Sequence, residues 1–412
     1  MKVLYVVNDF FPLYYGGVER YVLNISKQLQ RTGHAVKVLT YGMDDKKEGY
    51  AQRGGFAYKE YTYENIPVLA VRHDTIPHDI GFRIGDAGMM QPLSDILKEE
   101  KPDLVHVAHP MKLNPVITLA SELDIPVVLT LTDFWLLCPR GRFFKTDYSP
   151  CNSPAEGRKC MRECGIDSSV TRRYQQAALL FEKATKIIAP SRFIIRIFQE
   201  NGWKREISLV RHCFEYGTVA PQGLSRPGKG ETVVFGYTGL VTRFKGVDLL
   251  IESFSKVKSD SIRLLIYGDI YREWVWERTF YEDIIKATAA DTRIQFMGKY
   301  THNDLPAIFS SMDINIIPST TLESYGLVVT ESLAHNVPVI VSDIVGSAYE
   351  YIVDGQNGFV FPVNKPEMLA EIMSRIARDP SLLSALRRNI APPPGIEEEA
   401  FLLENIYREL VR

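Results

Sequence analysis

Excess charge, long apolar runs and cysteine are all scarce in this sequence. The 412 residues carry 48 Lys and Arg against 50 Asp and Glu, a formal net charge of −2. Without a domain-wide basic excess, nucleic acid is not an expected partner. No stretch of about 18 apolar residues occurs, so no membrane-spanning helix is expected. The opening Met1–Val7 is apolar but meets Asn8-Asp9 at once. It reads as a first strand and not as a signal peptide. Only five cysteines are present, and four of them fall between positions 138 and 164. That is unlike the spread pattern of a secreted disulfide scaffold, and the cytoplasm is the expected compartment. No short-period repeat is visible.

What is abundant is alternation. Hydrophobic residues make up 45% of the chain, enough for two sizeable cores. Apolar β-branched runs predict strands at Lys2–Val7, Ala35–Thr40, Leu104–Val107, Pro126–Leu131, Lys186–Ala189 and Ile207–Val210, with helices between several of them, the first over Val18–Gln30. The stretch Cys213–Gly230, with Pro221, Gly223, Pro227, Gly228 and Gly230, has the composition of a linker. The alternation then restarts with strands at Thr232–Tyr237, Ile262–Tyr267, Arg293–Phe296 and Asp313–Ile317. Such a pattern means parallel sheets covered on both faces. The expected architecture is α/β, with two doubly wound, Rossmann-like domains facing across a cleft.

The densest chemistry follows Asp313–Ile317. Pro318 to Ser324 reads as a strand-to-helix loop, with Ser324-Tyr325-Gly326 at the helix start and Leu327, Val328, Leu333 and Ala334 at helical spacing. A helix start offers free amides and the positive end of a dipole to an anion. Glu323 and Glu331 bracket it, which suits a sugar nucleotide: phosphates on the amides, one carboxylate on sugar hydroxyls and the other on ribose. The bland alternative is an N-terminal charge and a solvated helix residue. Two further loops follow strands. Gly239 to Gly246 contains Arg243 and Lys245, which can neutralise phosphate or simply be solvated. Gly16-Gly17 lets a ligand approach the backbone closely, or is an ordinary turn.

Four segments in this order resemble one family. Gly16-Gly17-Val-Glu19-Arg20 with Gly33-His34-Ala-Val, Thr238-Gly239 through Lys245-Gly246-Val-Asp248, Pro318-Ser319 to Glu331, and Pro338-Val339-Ile340 with Asn357-Gly358-Phe359 resemble the retaining glycosyltransferases of family four, which have the GT-B fold. The resemblance implies transfer of a sugar from a nucleotide diphosphate sugar to a sugar-containing acceptor (glycan, lipid-linked or small molecule), with retention and without a cofactor for catalysis. Same-face attack fits, the leaving phosphate taking the acceptor proton. It assigns Arg243, Lys245 and the amides of Tyr325–Val328 to the diphosphate, Glu323 to the donor sugar, Glu331 to the ribose, and the backbone of Phe296-Met297-Gly298 to the base. It puts His106 or His109 on the acceptor side, where either is equally readable as a core imidazole. A lipid-linked acceptor would bring peripheral membrane contact, at the inner face. Departures from the pattern are Leu240 for an Arg, Ala108 for a His, Thr132-Asp133 for His-Asp and Asn336 for a Gly. A non-catalytic nucleotide-sugar-binding protein of the same fold is the alternative from another class.

Two features lie outside those segments. Residues 396–412 follow Ala391-Pro-Pro-Pro-Gly395 and carry Phe401, Leu402, Ile406, Tyr407 and Leu410 as an apolar stripe. In the GT-B fold such a helix returns to the first domain, giving domains 1–214 plus 396–412 and 215–395. The cluster Cys138-x12-Cys151-x8-Cys160-x3-Cys164 sits in a loop of about 25 residues with few apolar side chains, which needs a source of order. Four thiolates on a structural Zn²⁺ would provide it; disulfides and free thiols are the alternatives. Arg140 and Arg142 in the same loop are available to an anionic acceptor.

Overall fold

The computed structural model describes residues 1–14, 16–43, 49–215, 232–269 and 278–411. Packing divides the chain into two compact units, Met1–Glu215 with Pro394–Arg412, and Tyr216–Pro393. Most of the linker expected at Cys213–Gly230 lies outside the described residues.

The first unit begins β1 (Lys2–Val7), α1 (Gly17–Arg31), β2 (Ala35–Tyr41), β3 (Ala51–Arg53), β4 (Phe56–Tyr63) and β5 (Ile66–His73). It continues α2 (Met90–Glu100), β6 (Leu104–Val107), α3 (Pro115–Glu122), β7 (Val127–Thr130), α4 (Arg158–Cys164), α5 (Ser169–Lys183), β8 (Lys186–Ala189), α6 (Arg192–Glu200) and β9 (Ser208–Leu209). Among the described residues its sheet runs β3-β4-β5-β2-β1-β6-β7-β8-β9. β1 is parallel to both β2 (Val3 beside Val36) and β6 (Val3 beside Leu104), so the strand order reverses there. The crevice at such a switch, outside the carboxyl ends of the strands, is where open α/β sheets take ligands. The antiparallel edge β3-β4-β5 was not expected. It is joined by a two-residue turn, Glu64 and Asn65, at φ 45° and 68°.

The second unit holds β10 (Val233–Thr238), α7 (Val247–Lys256), β11 (Ile262–Tyr267), α8 (Arg278–Ala289), β12 (Ile294–Gly298), α9 (Leu305–Ser310) and β13 (Ile314–Ile317). α10 (Leu327–Ala334), β14 (Val339–Ser342), α11 (Ala348–Tyr351), β15 (Gly358–Phe361), α12 (Pro366–Arg378) and α13 (Ser381–Arg388) follow. Its sheet order is β12-β11-β10-β13-β14-β15, all parallel, with the switch between β10 and β13. Phe235, Phe254, Ile266 and Ile316 fill the core beneath it.

The last helix, α14 (Ile396–Leu410), belongs to the first unit and packs on α1. Its inward face is a correction to the expected stripe. Ile396, Glu399, Ala400, Leu403, Glu404 and Tyr407 are buried, whereas Phe401 is 61% exposed and Leu402 38%. Two carboxylates displace apolar residues on that face because Glu399 finds partners inside. It accepts from Cys213 N–H (2.7 Å) and lies 3.0 Å from His212 Nδ1.

Candidate functional site

In the second unit the loops after β10 and β13 are locked together by close backbone approach. Gly246 sits at φ 69°, and a Cβ there would meet Pro318 O at 2.0 Å. A Cβ on Gly268 would likewise meet Gly239 O at 1.9 Å. Thr320 N–H donates to Phe244 O (3.0 Å) and its hydroxyl to Arg243 O (2.9 Å). Only glycine fits these positions, which explains the Gly pattern around Lys245.

That contact brings Lys245 Nζ to 2.8 Å from Glu323 Oε1, and the Ser319 hydroxyl also donates to this carboxylate. Glu323 is held from the backbone: its N–H donates to Ile344 O and its carbonyl accepts from Gly346 N–H, each at 3.0 Å. Gly326, at φ 89°, caps α10 where a Cβ would strike Val345 Cγ1 at 2.5 Å. The amides of Leu327 and Val328 open α10 and have no acceptor within it. Ser324 is half-buried beside them. Tyr325 is 3% exposed and its hydroxyl meets Tyr351 (3.3 Å), so its side chain packs while its backbone shapes the turn. Glu331 lies on α10 at 5% exposure, not in solvent. Asn336, in place of the usual Gly, ends this helix at φ 57°, a left-handed conformation that Asn tolerates.

Arg243 does not join Lys245. Its guanidinium lies over the Phe280 ring (5.0 Å) and 3.7 Å from Asp248. Met297 is 47% exposed at the carboxyl end of β12 and Gly298 follows at φ 84° with open space around it.

In the first unit the two histidines part. His106 is a correction: it points into the core, fully buried, with Nδ1 on the Tyr407 hydroxyl and Nε2 2.6 Å from Thr130 Oγ1. Burial pushes its pKa down to about 3, so it stays neutral and out of reach of any ligand. His109, past the end of β6, takes the polar side. Its Nε2 lies 2.9 Å from Asp133, and Met111 N–H points at Nδ1 (3.2 Å), which puts the ring proton on Nε2. Burial opposes a charged ring, but Asp133, with Glu19 and Asp9 beyond it, outweighs burial and raises its pKa. Gly16 caps α1 and Gly17 is its first residue; a Cβ on Gly16 would meet the Glu19 carboxylate at 2.6 Å. Two further charged groups lie here, Lys112, which the sequence reading missed, and Glu19, which stood in its Gly16–Arg20 segment without a role. Lys112 is buried at φ 69° with Nζ 2.6 Å from Asp9, and Glu19 is buried with a raised pKa because of that burial. A left-handed Lys leaves no mark in sequence, and Asp133, the partner of His109, had been read only as part of a departure from the family's His-Asp pair.

Among the described residues, no group of three or more His, Cys, Asp or Glu is placed to hold a metal ion. That arrangement lends the zinc expectation for Cys138, Cys151, Cys160 and Cys164 no support, although the four lie near enough to one another to raise the thiol pKa of Cys151, Cys160 and Cys164, and none of them forms a disulfide. Order in the loop comes from packing. Phe143 (1% exposed) meets Phe134 edge-on at 5.3 Å, Cys151 N–H donates to Phe143 O (2.8 Å), and Cys138 and Cys160 are buried as small apolar side chains. Burial pushes the Cys160 thiol up to about 12.

Two Rossmann-like units, each open at its switch point, with a lysine and a carboxylate meeting at a helix start in the second, define the GT-B class. The family described as Glycosyltransferase Family 4 matches residues 15–214, and that described as Glycosyl transferases group 1 matches 225–391. The chain belongs to these glycosyltransferases. A glycogen synthase of Mycobacterium tuberculosis is 23% identical over 404 residues, covering 92% of this chain and 87% of that protein. A GDP-mannose-dependent alpha-mannosyltransferase of Corynebacterium glutamicum is 22% identical, covering 88% and 77%. Among solved structures, Anabaena HepE in complex with UDP and glucose superposes with a TM-score of 0.71 at 17% identity, over 99% of this chain and 100% of that one. Sucrose-phosphate synthase of Thermosynechococcus elongatus gives 0.71 at 17%, over 99% and 98%. Among the described residues no helix is long and apolar enough to cross a membrane.

Proposed function

We propose that the chain transfers a glycosyl group, with retention, from a nucleotide diphosphate sugar taken by the second unit to a sugar-bearing acceptor taken by the first. The Lys245–Glu323 ion pair at the start of α10 carries this reading. An incoming diphosphate competes for the ammonium, and Lys245 exchanges a carboxylate for phosphate oxygens. Glu323, still held by its backbone and Ser319, is then free to accept sugar hydroxyls. The amides of Leu327 and Val328 take the remaining phosphate charge, and it is as the sugar–phosphate bond breaks that this charge grows. The leaving oxygen keeps the bonding electrons. The acceptor oxygen attacks the anomeric carbon from the same face and passes its proton to the departing phosphate. Glu331 holds ribose hydroxyls, and the backbone at Met297-Gly298 receives the base. The neighbour solved with UDP and glucose supports a donor of this class.

A panel of nucleotide sugars, read by calorimetry and by NMR of the product anomer, tests it. Glu323→Gln should bind nucleoside diphosphate as the wild type does but lose most turnover. Lys245→Ala should bind nucleoside diphosphate about tenfold more weakly, as expected for one charged hydrogen bond. Near-normal transfer by Glu323→Gln, or unchanged affinity in Lys245→Ala, would remove these residues from the site. An inverted product would end the same-face mechanism.

A further inference from the structure

The first unit has a cavity of about 560 Å³ that none of the assigned residues lines. Its walls come from the segment after β5 (His78–Gly85), the end of the cysteine loop (Gly165–Asp167) and one face of α5. The volume is that of a small-molecule site.

Charge is unevenly satisfied there. Arg83 pairs with Asp79 and with Asp86 (3.2 Å), so it brings no free charge. Asp167 accepts from Ser169 N–H at 2.8 Å, capping α5. Arg173 is different. It is 3% exposed, lies over the Trp135 ring at 4.4 Å and the Phe82 ring at 5.4 Å, and donates to two backbone carbonyls, Phe82 O and Trp135 O, at 2.8 and 2.7 Å. Among the described residues no carboxylate lies within ion-pair distance of it. Arg172, its exposed neighbour on the rim, has none either. A buried guanidinium without a counter-charge is costly unless something anionic completes it. The cavity also adjoins the polar end of the unit. Trp135 donates its indole N–H to Gly81 O (2.8 Å) and its N–H to Asp133 (2.8 Å), and its ring lies 6.2 Å from that of His109.

We propose that this cavity is an anion subsite that receives a phosphate group carried by the acceptor. The Arg173 and Arg172 guanidiniums, with no carboxylate at ion-pair distance among the described residues, are the donors that phosphate oxygens would meet, beside the negative charge of Asp167. Arg173, fixed between two aromatic rings, presents a pre-set fork, and Arg172 closes over the rim. With the phosphate so placed, the rest of the acceptor extends past Trp135 towards His109 and Asp133. The assignment rests on the glycosyltransferase reading above and adds to it the chemical class of the acceptor.

The test compares binding of a hexose phosphate and the corresponding hexose by calorimetry at fixed ionic strength. Phosphatidylcholine vesicles with and without phosphatidic acid form a second arm, and UDP binding is measured on the same samples. The hexose phosphate should bind more tightly than the hexose, and Arg172→Ala should weaken it about tenfold while leaving UDP binding unchanged. Arg158→Ala, on an exposed arginine already paired with Glu156, should change neither. Because Arg172 is exposed and unpartnered, its loss should not impair folding; Arg173→Lys then probes the buried fork. Arg172-dependent capture of the sugar phosphate alone identifies a soluble phosphorylated acceptor. Arg172-dependent binding confined to phosphatidic acid vesicles identifies a lipid-borne phosphate. Equal affinity for hexose and hexose phosphate with no vesicle binding overturns the proposal, as does an equal effect of Arg158→Ala. Failure of the wild type to bind UDP counts against the donor site and not against this cavity.

Discussion

Lowering the pH from 6.5 to 5 should cost the first unit about 2 kcal/mol of stability through His106 alone. Burial holds this imidazole's pKa at about 3 in the folded chain against 6.5 unperturbed. Between those values the unfolded chain binds a proton that the folded chain does not, so stability is fully present above 6.5 and declines as the pH falls. One proton over 1.5 pH units, at about 1.36 kcal/mol per unit, gives that figure. Urea denaturation followed by circular dichroism at several pH values measures it against His106→Gln, which keeps a donor and an acceptor for Tyr407 and Thr130. The variant's stability should fall less steeply than the wild type's, by about one proton's worth. Parallel slopes would mean that His106 is protonated in the fold, and the argument that it is a neutral core residue would be lost.

Gly246→Ala should abolish measurable nucleotide binding by calorimetry, because the added methyl meets Pro318 O at 2.0 Å and Gly246 lies at φ 69°; unchanged affinity would mean that the two loops are not locked together. Phe143→Ala should destabilise the first unit by about 3–5 kcal/mol in thermal or urea unfolding, while a chelator leaves the wild-type melting temperature unchanged. A large drop on chelation would restore a metal to the cysteine loop.

The parallel strands were legible because a strand covered on both faces is a short apolar run, and the bounds of β1, β6, β8 and β11 are those read from sequence. The antiparallel edge was not. In β4 the exposed Glu60 and Thr62 alternate with the half-buried Tyr61 and Tyr63, as on a half-exposed strand, although Glu64-Asn65 between two such runs was a usable hairpin signal. The choice between His106 and His109 was also open to reasoning. His106 lies inside a strand whose four residues are all buried, so its side chain had to enter a core. The face of α14 could not be read, since composition favours Phe401 and Leu402, and only the partners of Glu399 show why a carboxylate is buried instead. Likewise, the packing of the cysteine loop depends on Phe134 and Phe143 meeting across nine residues at a residue with φ 53°, which no spacing rule anticipates.

The return of α14 to the first unit inverts the order in which the molecule is completed during synthesis. The ribosome delivers residues 1–215 first, but the hydroxyl that engages His106 and Tyr5 belongs to Tyr407, and the carboxylate that meets His212 and Cys213 N–H belongs to Glu399. Until about four hundred residues have been made, the oldest part of the chain holds buried polar groups without their partners. The strands of the second unit, β10 to β15, all precede α14 in the chain and are available before it leaves the ribosome. The part made later can therefore be finished earlier, and a chain stopped short of Glu399 would carry a complete second unit and an unfinished first one.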